Sequence, residues 1–163
     1  MLEGENKLSR NVILLFSWYN YIEGGCMNIK IENSISVDEF LELIESVGWK
    51  LYSRKQVEKA LKNSMYVVKV LVDNKLAGMG RVVGDYSIVC MLSDICVMPE
   101  YQGKGIGKLI VNKLRELIID NVLDGEKMQI ELTPTAGNEI FYQKCGFKYN
   151  PDKVTGMYLW VEK

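Results

Sequence analysis

The chain reads as an α/β (α+β) domain, a mixed sheet flanked by helices, and three features of the sequence carry that reading. Two capping boxes, Ser36-Val37-Asp38-Glu39 and Ser53-Arg54-Lys55-Gln56, each open an amphipathic stretch. Residues 65–97 are rich in β-branched side chains and are divided by tight polar turns. From Gly105 the hydrophobic period changes to three and four. The 163 residues suffice for one core, and 48% hydrophobic with 25% charged residues is a globular composition.

In order along the chain, residues 29–32 alternate apolar and polar, as a first strand does. Ser36 can cap a helix whose inner face is Phe40, Leu41, Ile44 and Val47, with Gly48 as its stop. The second box opens a helix presenting Val57, Ala60 and Leu61. Strands are predicted at 65–72 and 76–83, joined by Asp73-Asn74, and a long third strand at 86–97 follows the Gly84-Asp85 turn. Pro99, with no amide to donate, ends that ladder. Ile106, Leu109, Ile110, Leu114, Leu117 and Ile118 then line a helix running to Asp120. A buried strand at 128–132, a short helix at 138–145 closed by Gly146, and strands at 147–149 and 157–161 complete the order β-α-α-β-β-β-α-β-α-β-β.

The composition also narrows the chemistry. There is no histidine, which removes the commonest general base, the commonest zinc ligand and every Ser-His or Cys-His pair. Cys26, Cys90, Cys96 and Cys145 include no CxxC pair. They read as reduced thiols of a cytoplasmic protein, with neither a metal site nor a disulfide framework expected. A net charge of -1 gives no reason to expect nucleic acid as a partner. The apolar run Val12-Ile13-Leu14-Leu15-Phe16 is too short to span a membrane. Gly24-Gly25-Cys26 resembles a lipoprotein cleavage site, but Glu23 stands where a branched apolar residue is wanted. Glu23-Gly24-Gly25 can be encoded by GAA-GGA-GGN, a bacterial ribosome-binding sequence just ahead of the Met27 codon. Residues 1–26 are therefore expected to be an N-terminal extension upstream of the natural start, and residues 27–163 the domain.

The most informative segment is Gln102-Gly103-Lys104-Gly105-Ile106-Gly107, lying between a strand and a helix. Exposed amides at a helix N-terminus and the helix dipole favour an anion, and glycines admit a phosphate close to the main chain. Lys104 and Lys108 can add charge. A dinucleotide loop would need GxGxxG, but Lys108 occupies the third glycine position. A Walker loop would need glycine at 102 and Ser or Thr at 109, where the chain has Gln102 and Leu109. A bare GxG is also compatible with a loop that binds nothing.

The whole stretch resembles the coenzyme motif (Gln/Arg)-x-x-Gly-x-(Gly/Ala) of the GNAT acetyltransferase superfamily. Gln102, Gly105 and Gly107 match it, preceded by Val97-x-Pro99. Phe141-Tyr142-Gln143-Lys144-Cys145-Gly146-Phe147 resembles the late helix of the same family, one strand further on. The resemblance covers residues 29–163. It implies an acetyl-CoA-dependent N-acetyltransferase with a mostly antiparallel central sheet. Two of its strands, here 92–97 and 128–132, would splay to admit the coenzyme. It further implies pantetheine bonding at Ile95 and Val97, with the Val97 amide serving as oxyanion donor. Amides of Gly103, Lys104, Gly105, Ile106 and Gly107 would hold the pyrophosphate, helped by Gln102 and Lys108. Asn138 would contribute from the late helix, where Thr135 stands at a position that is often Asn in the family.

Tyr142 is the candidate general acid for the departing thiolate, since a phenol keeps its proton at neutral pH; a packing tyrosine is the plainer alternative. Asp94 shares strand parity with Leu92 and Cys96 and is the candidate general base. A hydrogen-bonded structural carboxylate is the competing reading, and Glu131 is a weaker base candidate. Cys96 and Cys145 lack a histidine to activate them as nucleophiles. The expected substrate is a small-molecule amine, attacked directly in a ternary complex. A non-catalytic acyl-CoA sensor and a protein lysine or N-terminal acetyltransferase are the competing readings. The two early helices would build the acceptor pocket, with Trp49, Tyr52 and Tyr66 as lining residues, and the fold is compatible with a homodimer.

Overall fold

The computed structural model describes residues 17–22 and 25–148, with side chains from residue 27 onward. Six strands form one sheet: β1 (Ser17–Ile22), β2 (Gly25–Glu32), β3 (Tyr66–Val72), β4 (Lys75–Gly84), β5 (Val89–Val97) and β6 (Gln129–Glu131). Their spatial order equals their chain order. Every neighbouring pair is antiparallel except β5 and β6, which run parallel. The mixed, mostly antiparallel sheet predicted from sequence is present. No helix among the described residues is long and apolar enough to cross a membrane.

Helices cover both faces. α1 (Val37–Ser46) and α2 (Arg54–Lys62) begin at the two predicted capping boxes, and in both boxes each reciprocal bond is made. Phe40, Leu43 and Ile44 of α1 and Val57 of α2 meet Met79, Cys96 and Met98 of the sheet. On the opposite face α3 (Ile106–Ile119) lays Ile106, Ile110, Val111, Leu114 and Ile118 over Val68, Val70, Val82, Cys90 and Leu92. Burying such side chains contributes roughly 1.5–3 kcal/mol each. α4 (Glu139–Lys144) joins this second layer through Phe141 and Tyr142.

α1 is tied to the sheet by charge as well as by apolar contact. Lys69 on β3, only 8% exposed, reaches Glu32 of β2 and Glu39 of α1, each at 2.8 Å. Lys30 pairs with the other Glu32 oxygen at 2.7 Å, and Glu39 also accepts the Ser36 amide of its capping box. The bonds from Lys30 and then Lys69 hold the Glu32 carboxyl below its ordinary value. For Glu39 burial pushes upward, but the bonds from Lys69 and Ser36 outweigh it and the net direction is down.

Two details differ from the sequence prediction, and two expected strands are not wholly within the described residues. β1 pairs with β2 from Ser17↔Lys30 to Ile22↔Gly25, so the sheet gains a strand ahead of residue 27 that the periodicity did not indicate. β5 starts at Val89 and not at 86, because Asp85 Oδ1 accepts the amides of Ser87, Ile88 and Val89 and holds them in a turn. Tyr86 in that turn has φ +61°. The expected strand at 147–149 runs out of the described residues, and that at 157–161 lies outside them.

Replacing Lys69 with Met leaves Glu39 of α1 without its cation and Glu32 with Lys30 alone, and a loss of about 1–3 kcal/mol is expected in urea unfolding at pH 7. Glu32 and Glu39 titrate lower in the folded chain than unfolded, where the value is near 4.5. Their contribution is complete above that value and disappears as pH falls through the folded ones. The acid-side decline in the urea midpoint should therefore be shallower in Lys69→Met than in the parent.

Candidate active site

The site is organised by an irregularity in β5. Its register against β4 pairs Met79 with Cys96 but Arg81 with Ser93. Two steps along β4 thus match three along β5, so β5 carries one extra residue, a β-bulge. Asp94 in this bulge has φ +50°, a left-handed conformation uncommon for a residue with a side chain. The bulge reverses the facing of the strand. Leu92 packs under α3 while Cys96, four residues on, packs under α1 and α2. The expectation that Asp94 shares a face with both Leu92 and Cys96 is corrected here: it faces α2 with Cys96 and away from Leu92.

Asp94 is engaged on that face. Arg81 Nε donates to its Oδ2, Ser93 Oγ donates to the same oxygen at 3.3 Å, and Arg81 Nη1 reaches Ser64 Oγ at 3.4 Å. Both side chains of the ion pair are largely covered, 18% and 14% exposed. The hydrogen-bonded structural carboxylate therefore describes Asp94 better than a free base.

Beyond the bulge the strand regains its alternation. The Met98 amide donates to Ala77 O at 2.9 Å, toward β4. In an extended strand successive amides point to opposite sides, so those of Val97 and Ile95 point away from β4. On that side β6 pairs only with Val89, Cys90 and Met91. From Leu92 onward β5 has no strand partner on that edge among the described residues, which is the splay the sequence implied. β6 itself is shorter than predicted, three residues in place of five.

Next to the open edge lies the glycine-rich loop. A 3-10 turn at Pro99–Tyr101 leads into Gln102, whose Nε2 donates to Val97 O at 3.0 Å. Gln102 thus fastens the loop to the strand end. Gly103 and Gly105 adopt φ +73° and +79°, where side-chain-bearing residues are strained. Leu109 is the first α3 residue whose amide finds a helical acceptor, Gly105 O at 3.0 Å. None of the amides of residues 103–108 donates to a described residue. These six residues form a turn and a helix start without a side-chain cap, an arrangement that suits an anion. Lys104 lies over the Tyr101 ring at 5.6 Å, and Lys104 and Lys108 are both exposed beside the loop.

The glycine at 107 has a different reason. A Cβ there would sit 3.2 Å from Phe141 Cζ and 3.8 Å from Val97 Cγ2, so Phe141 packs directly on the helix start. This contact brings α4, and with it Tyr142, to the loop and the strand end. Arg115 of α3 secures the far end of α4 by donating to Cys145 O at 3.0 Å. Tyr142 stands edge-to-face between Phe141 and Phe147, at 4.9 and 6.0 Å between ring centres. Its hydroxyl has no hydrogen-bond partner among the described residues. Burial, with a smaller contribution from Cys145, raises its pKa above the ordinary tyrosine value. Asn138 is exposed at the start of α4 and offers no side-chain cap. Burial pushes the Cys96 thiol up to about 12 and also raises Cys145, so neither is a ready nucleophile.

On the α1–α2 face, Phe40, Tyr52, Gln56, Val57, Ala60, Arg81 and Asp94 line a cleft of about 230 Å³. Of the three aromatic residues expected there, Tyr52 contributes. Trp49 lies in the exposed α1–α2 connection outside the lining, and Tyr66 packs with the α3-side cluster against Tyr86. Arg81, absent from the sequence reading, is the main addition; its signal would have been a charged residue inside an otherwise apolar strand.

An opened sheet edge, an amide-rich helix start and a tyrosine on a short following helix thus meet at one end of this α+β fold. A family model described as an acetyltransferase (GNAT) domain matches residues 62–149. An N-acetyltransferase of Pyropia yezoensis, described as uncharacterised, is 29% identical over 91% of this chain and 86% of its own length. A GCN5-related N-acetyltransferase of Arabidopsis thaliana, named as chloroplastic, is 30% identical over 79% of this chain and 56% of its own. A probable acetyltransferase from meticillin-resistant Staphylococcus aureus superposes with a TM-score of 0.73 at 27% identity, covering 82% of this chain and 99% of that one. This chain belongs to the GNAT N-acetyltransferase family and is an acyltransferase.

Removing the carboxylate in Asp94→Ala leaves the covered Arg81 guanidinium with Ser64 alone. A destabilisation of about 2–4 kcal/mol is expected by urea unfolding. A loss below a few tenths would mean that the pair does not hold the bulge.

Proposed function

We propose that the protein transfers the acetyl group of acetyl-CoA to the primary amine of a small molecule by direct attack in a ternary complex. The observation that carries this reading is the run of undonated amides at residues 103–108 beside the unpaired edge of β5. The diphosphate of the coenzyme suits those amides and the flanking Lys104 and Lys108, with Gln102 keeping the loop closed on the strand. The pantetheine amides suit the outward groups of Ile95 and Val97, as an added strand would.

The amine nitrogen attacks the thioester carbon, the C–S bond breaks, and the sulfur leaves as a thiolate that must take a proton. The Val97 amide is suitably directed to stabilise the oxygen as it gains negative charge. Tyr142 is the proton source we assign to the thiolate: its raised pKa keeps it protonated, and its hydroxyl is not spent on a described neighbour. Asn138 is exposed at the start of the same helix and available to the coenzyme arm. The proton lost by the amine leaves through water, because Asp94 is committed to Arg81. Three buried thiols, Cys90, Cys96 and Cys145, are compatible with work in a reducing compartment, and we assign the cytoplasm.

Acetyl-CoA binding by calorimetry and thiol release across arylalkylamines, polyamines, aminoglycosides and peptides test the reading. Binding without release from any amine would overturn it. Gly105→Val forces a branched side chain into φ +79° and should raise the KM for acetyl-CoA by about tenfold or more. Tyr142→Phe should lower kcat by about a hundredfold with little change in coenzyme affinity; an unchanged kcat removes its role.

A further inference from the structure

The cleft on the α1–α2 face bears on which amine is accepted, and the inference rests on the acetyl-transfer reading above. Its walls are Phe40, Val57 and Ala60, with Tyr52 and Gln56 nearer solvent. At about 230 Å³ it is smaller than most drug-sized ligand pockets. Among the described residues, its charged lining groups are Arg81 and Asp94.

Each partner of the pair keeps an unspent edge. Asp94 Oδ2 receives both Arg81 Nε and Ser93 Oγ, while Oδ1 takes no bond from a described residue. Arg81 spends Nε on Asp94 and Nη1 on Ser64, while Nη2 has no hydrogen-bond partner among the described residues. A guanidinium carries five N–H donors in a rigid fork. Nη2 is not among the buried atoms left unpaired, so water reaches it from the cleft, and a ligand oxygen can take the place of that water. An anionic oxygen does so best, since charge-assisted bonds from Arg are the stronger kind. A second ammonium finds no further carboxylate among the lining residues, which disfavours polyamines and aminoglycosides.

We propose that the acceptor is a small amine that also carries a carboxylate, an amino-acid-like molecule. The Nη2 edge of Arg81 binds its carboxylate, and its amine is left to reach the open edge of β5. Arg81 is then the specificity-determining residue, and Asp94 positions it by fixing the guanidinium plane.

The test compares matched acceptors in the thiol-release assay: β-alanine against ethylamine, and leucine against isopentylamine, at equal concentrations of free amine. The carboxylated member of at least one pair should have the higher kcat/KM by about tenfold or more. Arg81→Lys keeps the charge but loses the second fork, and should reduce that ratio several-fold. Gln56→Glu preserves the capping box and brings a carboxylate to the cleft wall, and it should reduce the ratio too, giving a second variant if Arg81→Lys fails to fold. A wild-type ratio at or below one in both pairs, or a ratio untouched by the folded variants, overturns the proposal while leaving acetyl transfer in place. Absence of thiol release with every amine counts against transfer itself. In that event, calorimetry of β-alanine and leucine with the CoA-bound protein decides the cleft: binding weakened by either variant retains the assignment, and no binding overturns it.

Discussion

The extra residue in β5, held by the Arg81–Asp94 ion pair, is the constraint on which the site depends. Without it, the sheet would present Leu92, Asp94 and Cys96 to one face and continue its ladder unchanged. With it, Asp94 turns toward α2 while Ile95 and Val97 keep their side chains under α3 and their amides toward the open edge. One strand therefore serves two sides. A left-handed conformation at a non-glycine residue costs of order 1–2 kcal/mol, and a covered ion pair with hydroxyl support from Ser93 and Ser64 is a means of offsetting it.

The second constraint is close approach. A Cβ at Gly80 would lie 2.5 Å from Ile95 Cδ1 and 2.7 Å from Ile110 Cγ2, and one at Gly78 would lie 2.8 Å from Cys96 O. These glycines let α3 settle onto β4 and β5 at a separation that side chains would forbid. The N-terminus of α3 is thereby set beside the end of β5, where Gln102 ties the intervening loop to Val97. Phe141 rests on Gly107 for the same reason of space. The amide-rich loop, the open strand edge and Tyr142 are brought together by packing of small residues and by the Gln102 bond to Val97 O.

What was legible in the sequence was what is encoded locally. Both capping boxes formed because each needs only four consecutive residues, and the α3 stripe was read from its own period. The glycine loop was legible because its chemistry lies in the main chain, where Gly103 and Gly105 mark the special conformations. Asp94 was misoriented because parity assumes an unbroken strand, and a bulge is set by a partner thirteen positions away. Arg81 was missed for the same reason: its meaning lies in Asp94 and Ser64, not in its sequence neighbours. The start of β5 was placed too early because a β-rich run hides the Asp85 turn, whose signal is one carboxylate taking three amides. Tyr66 was assigned to the acceptor pocket although its strand position directs it beneath α3.

These two kinds of information also divide the two substrates. The proposed coenzyme side rests on main-chain amides and glycines, which constrain few side chains. The proposed acceptor side rests on α1, α2 and one ion pair on the α2-facing side of β5, where a single substitution changes charge or shape. The bulge couples them: Asp94, which turns toward the cleft, directly precedes Ile95, whose amide points to the open edge, and lies three residues before Val97. A change that relaxes Asp94 would move Ile95 and Val97 with it. The proposed acceptor cleft and the proposed coenzyme edge are thus mechanically linked through the bulge, although Asp94 faces α2 while the side chains of Ile95 and Val97 lie under α3.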